Sequence, residues 1–61
     1  MNTENLLAKR DGRWTVTENK VVVSSVWVDR EGTVGVRIRR ILTHEQALLT
    51  ATALLDALSK E

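Results

Sequence analysis

Two short alternating runs flank the stretch D-R-E-G-T at residues 29 to 33, and they constrain the fold more than any other feature. Apolar residues at every second position are the mark of a strand with one buried face. The turn sets the pairing. Arg30-Glu31-Gly32 fits a three-residue loop closed by Asp29 opposite Thr33, with Gly32 in the left-handed position that a side chain resists. Val28 then faces Val34, Trp27 faces Gly35, Val26 faces Val36, Ser25 faces Arg37, Ser24 faces Ile38 and Val23 faces Arg39. Val26, Val28, Val34, Val36 and Ile38 share one side. A slip of one residue would scramble this separation, so turn and pattern agree.

R-W-T-V-T, residues 13 to 17, alternates as well. A loop of Glu18-Asn19-Lys20 predicts Trp14 beside Ser24 and Val16 beside Val22, which brings both to the valine side. T-H-E-Q, residues 43 to 46, is a capping box: the Thr43 hydroxyl accepts from the Gln46 amide while the Gln46 side chain reaches back. The helix expected over 44–59 gathers Ala47, Leu48, Ala51, Leu54, Leu55 and Leu58 on a stripe about 120° wide. That stripe is expected to lie across the valine face. Leu49 and Ala53 fall among the polar positions, where together they would mark a contact.

Residues 1–12 read in two ways. Asp11-Gly12 is a hairpin turn signal that adds a further strand. Alternatively, Thr3 caps a short helix that Gly12 ends. The expected architecture is α+β: an antiparallel meander over 13–41, three-stranded or four-stranded with the added strand, and one C-terminal amphipathic helix packed on one face. The 61 residues form a single domain.

A chain this short buries a thin core, and without cysteine it has no disulfide to add. Oligomerisation is the remaining source of stability, so a homodimer is expected. No apolar leader opens the chain, and residues 47–58 are too short to span a bilayer. The expectation is a soluble, cytoplasmic protein with no membrane partner.

The single histidine, His44, stands at the helix start with no nucleophile or orienting group placed to serve it. Ser24 and Ser25 are adjacent in a strand and point to opposite faces. No catalytic residues, no metal and no cofactor are expected, and the chain reads as non-enzymatic. What remains is the outer side of the sheet, which the alternation assigns Arg13, Thr15, Thr17, Val21, Val23, Ser25, Trp27, Gly35, Arg37, Arg39 and Ile41. The candidate binding face is Arg13, Trp27, Arg37, Arg39, Val23 and Ser25, with Trp27 across Gly35 and the Arg37 guanidinium on the indole. Three readings stay open: an interface for a protein partner or a second copy, a nucleic-acid surface in which arginines meet phosphates or guanine edges, and a merely solvated face. A net charge of +1 gives the nucleic-acid reading a thin electrostatic footprint, so protein contact leads.

Strand–strand–strand–helix over residues 13 to 58, with I-L-T-H-E-Q-A at 41–47, resembles the AP2-type DNA-binding domains and the arm-binding domains of tyrosine integrases. That resemblance implies DNA contacts at Arg13, Trp27, Arg37 and Arg39. L-T-H-E-Q-A-L-L, residues 42 to 49, is similar to the C-terminal helices of small proteins of actinobacteria and their phages, which implies a regulatory or host-interaction role.

Overall fold

The computed structural model describes residues 4–59. Four antiparallel strands, β1 (Asn5–Arg10), β2 (Arg13–Glu18), β3 (Val21–Val28) and β4 (Val34–Ile38), lie side by side in chain order, and α1 (His44–Ser59) packs on one face. The α+β class and the antiparallel meander match the sequence expectation, and the added strand is present. Asp11 and Gly12 both adopt positive φ, at 51° and 75°, so the first hairpin turns where an Asp-Gly pair turns most readily. The alternative helix before Gly12 is replaced by β1; its cap, Thr3, lies outside the described residues.

The β3–β4 hairpin has the predicted register from Val28↔Val34 to Ser24↔Ile38. Gly32 sits at φ 85°, and Asp29 Oδ1 accepts from the amides of Glu31 and Thr33, each at 2.9 Å. The β2–β3 register departs from expectation. Asn19 and Lys20 alone form the turn, at φ 52° and 74°, and Glu18 pairs with Val21. Beyond an irregularity at Val16 and Thr17 the pairing continues as Val16↔Ser24 and Trp14↔Val26. Val23 is the extra residue of this bulge. Across it the alternation shifts, so Val22 rather than Val21 shares a side with Thr17.

The helix is rotated about a third of a turn from the predicted stripe. Its buried residues are Gln46, Thr50, Ala53 and Ala57, while Leu48, Leu55 and Leu58 are exposed and Leu49 and Leu54 are half-buried. Two causes fix this rotation. The Trp14 indole fills the space under the helix, and only alanines allow α1 to approach it: Trp14, Val26, Ala53 and Ala57 form one buried cluster, edged by Leu7, Val28, Val34 and Leu54. Polar bonds then lock the orientation. Trp14 Nε1 donates to Asp56 Oδ2 at 2.8 Å, and Ser24 and Thr50 hydroxyls meet at 2.7 Å. Gln46, inside the predicted capping box, donates from Nε2 to Asn5 Oδ1 and Glu18 Oε1. Glu18 in turn accepts from Arg40 at 2.7 Å. A buried polar side chain that lost such partners would cost more than an exposed leucine does.

Candidate functional site

Cross-strand partners share a face, so the outer side of the sheet reads in rows. One row runs Arg10↔Arg13↔Trp27↔Gly35, and the next runs Ala8↔Thr15↔Ser25↔Arg37. Gly35 leaves room here for the Trp27 indole, which lies across the strand where a Cβ would stand. The Arg13 guanidinium stands 5.2 Å from the centre of the Trp27 ring. Arg13 holds the position expected of Arg37, since register sets Arg13 directly opposite Trp27 and sets Arg37 one row away, opposite Ser25.

Of the six candidate residues, Arg13, Trp27 and Arg37 do share one surface. Arg39 is exposed just past β4, where its backbone amide bonds to the Val23 carbonyl. Val23 is fully buried at 0% exposure, turned by the bulge out of the simple alternation, and Ser25 is only 4% exposed beneath its long neighbours. Neither offers contact to a partner. Arg10 is the residue that sequence reasoning missed. Once Asp11-Gly12 is taken as the turn, Arg10 must stand opposite Arg13. The two arginines, with Ala8, Asp11 and Thr15, line a depression of about 400 Å³. Like charges directly opposite each other repel, and the Asp11 carboxylate on the rim offsets part of that charge.

A second surface arises from the helix rotation. Exposure reaches 56% at Leu48, 68% at Leu55 and 55% at Leu58. On β4, Val36 at 43% and Ile38 at 56% look to the same side as the helix, because they pair with Val26 and Ser24. The helix lies over β1, β2 and β3 and touches β4 least. Leu54 and Val34 both edge the buried cluster. Leu48 and Leu55 stand on the side of α1 opposite Gln46, Thr50, Ala53 and Ala57, facing away from the sheet.

His44 is exposed, and among the described residues no three His, Asp or Glu side chains converge as metal ligands. Among the described residues no helix is long and apolar enough to cross a membrane. Compared with family models, curated proteins and solved structures, the chain matches none.

Proposed function

We propose that this chain is a non-enzymatic binding module that works through protein contacts, as a regulatory or host-interaction factor of the phage or mobile-element kind. The observation that carries the reading is the inversion of its helix. Gln46, Thr50 and two alanines face the sheet, and three leucines face water. A contiguous apolar surface on a small soluble domain marks a site of association. The contact surface is the outward face of α1, in place of the outer sheet face. DNA binding through the outer face is the second reading, favoured by Arg10 directly opposite Arg13 beside the stacked Trp27.

A photo-crosslinking residue placed at Leu55 or at Arg37 in cells separates the two readings. Polypeptide adducts from position 55 support the first, and nucleic-acid adducts from position 37 support the second. Irradiation that yields no polypeptide adduct from position 55 overturns the protein-contact reading.

A further inference from the structure

We infer that the occupant of the helix flank is a second copy of this chain, docked antiparallel along Leu48, Ala51, Leu55 and Leu58. This rests on the reading of the flank as a protein-contact surface and names its partner. The spacing three, four, three is that of a heptad seam. It is also symmetric about residue 53, the middle of the seam. A twofold axis there matches Leu48 with Leu58 of the second copy and Ala51 with Leu55 of the second copy. An isologous interface demands such self-complementarity, and an unrelated partner does not. Each small residue meets a large one, which lets the two helices interdigitate.

Charge gives the same answer. Between Leu48 and Leu58 the helix carries one charged residue, Asp56, whose carboxylate is engaged by the Trp14 indole, so two copies approach along the seam with little like-charge repulsion. Area supports it too. A fully exposed aliphatic side chain presents ~120 Å², from ~3 kcal/mol at ~25 cal/mol per Å². At the exposures of Leu48, Leu55 and Leu58, the seam offers on the order of 215 Å² of large side chain. Ala47 and Ala51, also exposed, add to it. A stable dimer needs about 800 Å² from each partner, a little over half of it apolar. The seam leucines alone supply about half of that apolar share.

Sedimentation equilibrium on the purified full chain tests the inference across micromolar concentrations. The expected mass is twice the 6.9 kDa of one chain. Leu55→Glu and Leu55→Lys should each halve the mass while circular dichroism stays native, because Leu55 makes its contacts outside the monomer core. An equimolar mixture of the two variants should regain the double mass, since opposite charges then meet near the axis. Leu6→Glu, on the outer face of β1, should leave the mass unchanged. A wild-type chain that stays single at every concentration overturns the inference, as does a dimer that Leu6→Glu disrupts and Leu55→Glu does not. In the single-chain case, crosslinking at position 55 to other polypeptides would leave the protein-contact reading standing.

Discussion

The indole N–H of Trp14 donates to the carboxylate of Asp56 across 2.8 Å, tying β2 to the last turns of α1. Trp14 is almost wholly buried, so its donor has no water to fall back on. Asp56→Ala should cost about 1–3 kcal/mol, and Asp56→Asn, which keeps an oxygen in place, should cost less. Urea titrations followed by tryptophan fluorescence read both. Equal stability of the alanine variant and the wild type would show that the bond does not set the helix position.

The buried hydroxyl pair makes an asymmetric prediction. Thr50 Oγ1 donates its single proton to the Gln46 carbonyl at 2.8 Å, so the proton between Ser24 and Thr50 must come from Ser24. Ser24→Ala removes a donor and leaves no orphan, for about 1 kcal/mol or less. Thr50→Val strands the Ser24 proton and should cost more, about 1–3 kcal/mol. The double variant should recover much of that loss. A thermodynamic cycle in which Ser24→Ala is the worse single change contradicts the proton assignment.

Lys20 sits at φ 74°, where a side chain is penalised and glycine is not. Lys20→Gly should therefore stabilise the β2–β3 turn by up to ~1 kcal/mol, raising the melting temperature by several degrees in a domain of this size. An unchanged or lowered midpoint would count against a left-handed Lys20.

Gly35→Ala drives a methyl into the Trp27 ring, and the ring is the part free to move. The loss expected is about 1 kcal/mol, with a shift in Trp27 emission as the Arg13 stack breaks. In a Trp27→Ala background the same change should be nearly silent. Near-additive effects of the two substitutions would disprove the contact.

The helix phase yields the sharpest contrast. At dilutions where the chain is single, Leu55→Ala should change stability by no more than ~0.5 kcal/mol, because the side chain is already in water. Ala57→Leu should cost about 1–3 kcal/mol by forcing α1 off the Trp14 cluster. Chemical denaturation curves reversing that order would restore the leucine stripe to the core.

Two local signals were legible: Gly32 fixed one hairpin register, and Thr43 with Gln46 marked the helix start, because each is decided within a few bonds. The β2–β3 pairing was not, since nothing near Val23 announces a bulge and a Lys20 at positive φ runs against turn preference. Helix phase failed for a different reason. Apolar periodicity locates a stripe but does not say what it meets. Here the choice was made by residues distant in sequence, Trp14 with Asp56 and Ser24 with Thr50. On the outer face, Arg13, Trp27 and Arg37 came from alternation alone, whereas Arg10 needed the first hairpin to be resolved.

Because Leu48, Leu55 and Leu58 already stand largely in water, unfolding a single chain hydrates less new hydrocarbon than it would if these leucines were buried. Its heat-capacity increment should then fall below the usual ~12–15 cal/mol/K per residue, and a smaller increment bends the stability curve less. Such a monomer loses stability slowly on both cooling and warming. Pairing along the flank would place those same leucines out of water and restore the curvature, so calorimetric scans at rising protein concentration should become more strongly domed.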